Sequence, residues 1–82
     1  MAVDFEKLVR AITIPLVNKP DALLVKILSE DAEQINIQLM VDNEDFGRVI
    51  GKNGRIAQAI RTILYAGATK EGTRITLQID AF

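Results

Sequence analysis

The chain has no cysteine, no histidine and no tryptophan, and only one tyrosine and three phenylalanines in 82 residues. Without cysteine it can form neither a disulfide nor a thiolate metal site. Without histidine it also lacks the commonest general base and metal ligand. No apolar run approaches the ~18 residues that a membrane-spanning helix needs. The start, Met1-Ala2-Val3-Asp4-Phe5-Glu6, puts acids where a secretory signal carries basic residues. These absences lead to the expectation of a cytoplasmic protein with no metal and no cofactor. At this length it is expected to be a single domain over residues 1–82.

About half the residues, 49%, are hydrophobic, and they are spread along the chain. That suffices for one modest core, of a size that is marginally stable alone and gains from a partner. The net charge is −1, but it is unevenly distributed. From Phe46 to Lys70 the chain carries Arg48, Lys52, Arg55, Arg61 and Lys70 and no acid, a charge of +5. The rest holds all eleven acids against five bases, a charge of −6. A local cationic site on an acidic body attracts phosphate in one place and repels it elsewhere. Solvated helix-face charges would give the same count.

Phe5, Leu8, Ile12 and Leu16 recur at helical spacing behind Asp4, a candidate cap, and Pro15 should kink or tighten the last turn. Ala22 to Leu28 reads as a strand with Val25 and Ile27 on one face, followed by a polar turn from Ser29 to Glu33. Ile35, Ile37, Leu39 and Val41 alternate with polar or flexible residues, as do Ile75, Leu77 and Ile79. That is the period of strands with one buried face. Between them, Asp42-Asn43-Glu44-Asp45 supplies caps for a short helix through Phe46, Val49 and Ile50. Gly51 to Gly54 breaks it, a longer helix runs from Arg55 to about Ala66, and Gly67 and Gly72 bracket the exit. The expected fold class is α+β, in the order α-β-β-α-α-β, with a three-stranded sheet and helices packed on one face.

Chemistry concentrates in Arg48-Val49-Ile50-Gly51-Lys52-Asn53-Gly54-Arg55-Ile56-Ala57-Gln58-Ala59-Ile60-Arg61. Glycines let a sugar-phosphate chain come close to the backbone, and a loop that opens a helix points free N–H groups at a bound phosphate. Lys52, Arg55 and Arg48 add charge to the same place. A bare Gly-x-x-Gly means little. Here it joins two helices, follows Val49-Ile50, contains a lysine and lies between two alternating strands. In that setting it resembles the signature of KH domains, and the element order is that of the type II KH fold.

The resemblance implies that Gly51, Lys52, Asn53 and Gly54 clamp about four nucleotides of single-stranded RNA. Ile50, Ile56, Ala57 and Ile60 are then the expected apolar groove. Each of these isoleucines is also a candidate for the core, and Gly51 and Gly54 alone would pass as a helix C-cap and a tight turn. Tyr65 is expected on the polar side of its helix. On a helical wheel the apolar residues from Ile56 to Ala66 fill an arc of roughly 180°, beyond the somewhat more than 100° that a core-facing stripe needs. Ala59, Ile63 and Ala66 form the uncommitted edge and are the expected dimer surface.

Length, the Pro15 region, Asn18-Lys19-Pro20-Asp21 and Arg61-Thr62-Ile63-Leu64 also look like the KhpA family of small bacterial single-KH proteins. That resemblance implies an RNA chaperone that forms homodimers and pairs with a larger KH-containing protein, KhpB (also Jag or EloR). It further implies a link to cell-length control and peptidoglycan homeostasis. The alternative is a protein-interaction adaptor in which the KH fold serves for dimerisation. Catalysis is disfavoured, because no catalytic or metal-binding residue set exists. The loop lacks the Gly-x-x-x-x-Gly-Lys-Ser/Thr spacing of a nucleotide-hydrolysing loop. Asp42, Glu44 and Asp45 fit caps better than a metal site.

Overall fold

A computed structural model of the protein describes residues 3–82. Met1 and Ala2, the first residues of the acidic start and of the expected domain, lie outside the described residues. Helix α1 (Phe5–Thr13) opens on Asp4, whose side chain accepts the Lys7 amide. Pro15 falls in a 3-10 turn, Ile14–Leu16, that tightens the end of the helix, and a second such turn spans Pro20–Ala22. Strands β1 (Leu24–Glu30) and β2 (Gln34–Val41) form a hairpin. Helix α2 (Phe46–Ile50), a 3-10 turn (Lys52–Gly54) and helix α3 (Arg55–Lys70) follow, and strand β3 (Arg74–Ala81) ends the described order. The order is the expected α-β-β-α-α-β.

The sheet runs β1-β2-β3, with β1 antiparallel and β3 parallel to β2. In β2 and β3 every second residue is buried, Ile35 through Val41 and Ile75 through Ile79, so one face of the sheet carries the core. Val9, Val49, Ala57, Ile60 and Leu64 cover that face from the three helices.

Several local expectations are corrected. The buried stripe of α1 is Phe5, Val9 and Thr13, with Leu8, Ile12 and Leu16 only partly covered at its flank. Thr13 is tolerated at full burial because its hydroxyl donates to the Val9 carbonyl at 2.7 Å. The first strand starts two residues later than expected, because Pro20–Ala22 turns first. A bulge at Leu28 lets Ser29 pair with Asn36, and Ile27, on Val25's side of the strand, is 44% exposed. Helix α3 continues through Gly67 to Lys70. Gly67 marks a close helix crossing, since a Cβ there would lie 3.3 Å from the Phe5 ring. The helix closes instead at Gly72 (φ 71°), where the Gly72 amide bonds Thr69 O and the Thr73 amide bonds Ala68 O.

Candidate functional site

The loop between α2 and α3 owes its shape to three left-handed residues. Gly51 has φ 77° and ψ 172°, a region open essentially to glycine alone. It also sits against Ile56, whose Cγ1 would be 2.6 Å from a Cβ at position 51. Asn53 (φ 58°) and Gly54 (φ 73°) follow in the left-handed helical region, which asparagine adopts more readily than most side chains. A Cβ at Gly54 would meet nothing within 4 Å. The two glycines therefore differ: the first is fixed by conformation and contact, the second by conformation alone.

The Gly51 amide caps α2 at Gly47 O, and the Gly54 amide bonds Gly51 O. Among the described residues the amides of Lys52 and Asn53 donate to no main-chain carbonyl. Helix α3 begins with no side-chain cap and no acid in its first turn. Its positive dipole end is therefore unanswered, with the exposed side chains of Lys52 and Arg55 beside it. Arg48, one turn back on α2, keeps 57% of its side chain exposed. Together these groups can hold an anion without a deep pocket.

The expected groove residues fall into two classes. Ile56 is 36% exposed and Ile50 is half-buried, so both present surface beside the loop. Ala57 and Ile60 are each 2% exposed and belong to the core, because their positions on α3 face the sheet. Ala59, Ile63 and Ala66 all lie on the open side of α3, with Ile63 48% exposed.

The five cations read as one segment are not brought together. Arg48, Lys52 and Arg55 flank the loop. Arg61 reaches across to β3, donating from Nε and Nη2 to Leu77 O at 3.3 and 3.2 Å, so it seals a sheet edge. Lys70 ends α3, fifteen residues from Arg55 and thus about 22 Å along the helix axis.

Asp45 is the residue whose role the sequence hid. It holds the N-cap position of α2, but its side chain makes no capping hydrogen bond to that helix; its carboxylate is buried and accepts the Asn18 amide at 3.0 Å and the Lys19 amide at 2.9 Å. The bond from Asn18 foremost, then that from Lys19 and the nearby Arg48 and Lys19 cations, hold its carboxyl below the usual carboxylate value, against the upward push of burial. The carboxylate thereby ties the segment after α1 to the start of the helix that carries the loop. Outside it, the exposed Lys19 ammonium pairs with Glu44 at 2.8 Å and Asp42 at 3.6 Å, which raises its pKa, the Glu44 hydrogen bond foremost. A contact 27 residues away in sequence has no local signature; an acid before a helix reads as a cap. Two hollows, of about 300 and 460 Å³, lie at the opposite end of α3, where it meets the starts of β2 and β3.

Residues 6–79 match the family model described as KhpA/KhpB, KH domain. The chain is 48% identical over 73 residues to the RNA-binding protein KhpA of Caldanaerobacter subterraneus subsp. tengcongensis, covering 89% of this chain and 96% of that one. It is 43% identical over 74 residues to the RNA-binding protein KhpA of Listeria monocytogenes, covering 90% and 96%. It is 44% identical over 75 residues to that of Streptococcus pneumoniae, covering 92% of each. Since the matched stretch runs from α1 into β3 and takes in the whole loop, the chain belongs to the KhpA/KhpB KH-domain family.

Proposed function

We propose that the protein binds single-stranded RNA at the Gly51–Gly54 loop, with low sequence specificity and in the cytoplasm. The observation that carries this reading is the start of α3: two unpaired amides, no acidic cap, and Lys52 and Arg55 turned to solvent. The sugar-phosphate chain lies against the glycines, the amides and cations hold its phosphates, and Ile50 and Ile56 receive the adjoining bases. Ala57 and Ile60 shape that surface from beneath. Relatives bearing the name RNA-binding protein KhpA support the same ligand. Acids elsewhere on the chain limit the number of phosphates neutralised, so affinity is modest and salt-sensitive.

The resemblance to KhpA extends the proposal to an RNA chaperone that works as a homodimer and with a larger KH-containing partner of the KhpB type, in post-transcriptional control of cell elongation and peptidoglycan homeostasis. The open face of α3, with Ala59, Ile63 and Ala66, supports the dimer and favours the second reading, an adaptor whose KH fold serves association.

The test is fluorescence anisotropy with a short labelled single-stranded RNA over a salt series. The wild type is compared with a Lys52→Asp, Asn53→Asp double variant whose fold is checked by circular dichroism. Binding that weakens with salt in the wild type and vanishes in the folded variant is the expected outcome. Equal binding by both proteins, or none by either, shifts the reading to the adaptor.

A further inference from the structure

The hollow of about 300 Å³ at the far end of α3 offers a different chemistry from the loop. Gln34 of β2, Tyr65 and Thr69 of α3, and Arg74 and Thr76 of β3 line it. Tyr65 is the sole tyrosine, is 43% exposed, and is not among the residues packed against the core. Gln34 donates through Nε2 to Asn36 Oδ1 at 3.2 Å, which leaves its carbonyl oxygen as an acceptor. Thr76 donates to the same Asn36 oxygen and keeps its lone pairs, while the Thr69 side chain is exposed. The lining is thus one aromatic ring with neutral hydrogen-bonding groups and a single cation, Arg74, around it. Arg74 also borders the neighbouring hollow, whose lining includes the acids Asp31 and Glu33, so the field around this end of the helix is mixed and favours a neutral ring over a phosphate. A flat, uncharged ring with polar edges is the ligand such a site suits.

The hollow lies on the same track as the loop. Gln58, Arg61, Tyr65 and Thr69 recur every three or four residues, which places them on one stripe of α3. The Arg61 bonds to Leu77 O fix that stripe over the outer edge of β3. Tyr65 is ten residues beyond Arg55, about 15 Å along the axis. Four nucleotides, each spanning at least the ~3.4 Å of a stacked step, reach that far along the helix, and four is the number a KH loop clamps.

We propose that this hollow is a nucleobase subsite, in which the base of the nucleotide next beyond the four held at the loop stacks on Tyr65. The assignment rests on the RNA-binding reading above and adds a second contact to it. Stacking on an aromatic ring is sequence-tolerant, since every base has a π face. Gln34 and the threonines add hydrogen bonds to the base edge.

The experiment compares labelled oligoadenylates of four and eight nucleotides, bound by wild type, Tyr65→Ala, Tyr65→Phe and the Lys52→Asp, Asn53→Asp variant. Wild type should hold the octamer more tightly than the tetramer. Tyr65→Ala should lose about five- to tenfold on the octamer, the lower part of the range for base stacking, and nothing on the tetramer. Tyr65→Phe should keep the wild-type value, which excludes a fold effect. As the protein has a single tyrosine, its ring protons are read directly by NMR, and they should move upfield with the octamer only. If Tyr65→Ala binds the octamer as wild type does, or the ring signals stay in place, the subsite is wrong while the loop reading stands. If wild type binds neither oligomer, both are wrong.

Discussion

Along α3, Ala57, Ile60, Leu64 and Ala68 are sealed against the sheet, whereas Ile56, Ala59, Ile63 and Ala66, of the same chemistry and a residue or two away, face solvent. The helix is apolar over a wide arc, yet only half of that arc meets this chain's own core. Hydrophobicity alone therefore does not say which isoleucine stabilises the fold and which waits for something outside it. Position relative to the sheet decides. The same contrast between sealed and open groups recurs in the two loop glycines and in the acids beside α2.

The sharpest way to break the contrast is to truncate one residue from each face. Leu64→Ala should lower unfolding free energy by about 3 kcal/mol, as large-to-small changes in a packed core do. Ile63→Ala should change it by no more than about 0.5 kcal/mol. Urea denaturation reads both, and equal losses would show that the open face is packed after all. Ile63→Asp should likewise spare the fold while lowering the mass seen in solution, if the open face pairs two copies.

The loop glycines come next. Gly51→Ala meets both a glycine-only conformation and the Ile56 side chain, and should cost about 3 kcal/mol. Gly54→Ala meets only the left-handed backbone and should cost about 1 kcal/mol. Thermal unfolding of the two variants orders them, and the reverse order would refute the loop geometry.

The acids give the smallest effect and the only one that depends on pH. The Asp45 carboxyl lies below its ordinary value in the folded state, so its stabilisation is complete above the unfolded carboxylate pKa of about 4 and fades as pH falls through the folded value. Wild type should lose melting temperature below pH 4, and Asp45→Asn should start lower at neutral pH and change less on acidification. Glu44→Gln, which breaks an exposed pair, should hardly differ from wild type. An Asp45→Asn protein as stable as wild type at neutral pH would show that the buried carboxylate is no tie.

The parts legible in the sequence are those whose signal is local. Alternation in Ile35–Val41 and Ile75–Ile79 announces one-sided strands, and Gly51-Lys52-Asn53-Gly54 between two helical stretches announces the loop. What stayed hidden depends on partners distant in the chain. Gly67 reads as a helix stop until the Phe5 ring is seen beside it. Ala57 reads as groove and Ile60 as groove or core alike, because the sequence cannot say how far α3 is rotated toward the sheet. Tyr65 reads as a surface residue, and its hollow exists only because β2 and β3 begin where α3 ends.

The parallel pairing of β2 and β3 also sets the timing of folding. Gln34 pairs with Arg74 and Val41 with Ala81, so every rung of that ladder joins residues 40 apart. The hairpin of β1 and β2 can close early, across a short turn, but its core face gains the third strand only after both intervening helices have been laid down. Contacts of that range make folding slower than in a bundle of local helices. A nascent chain therefore displays the cationic loop before the sheet beneath it is complete.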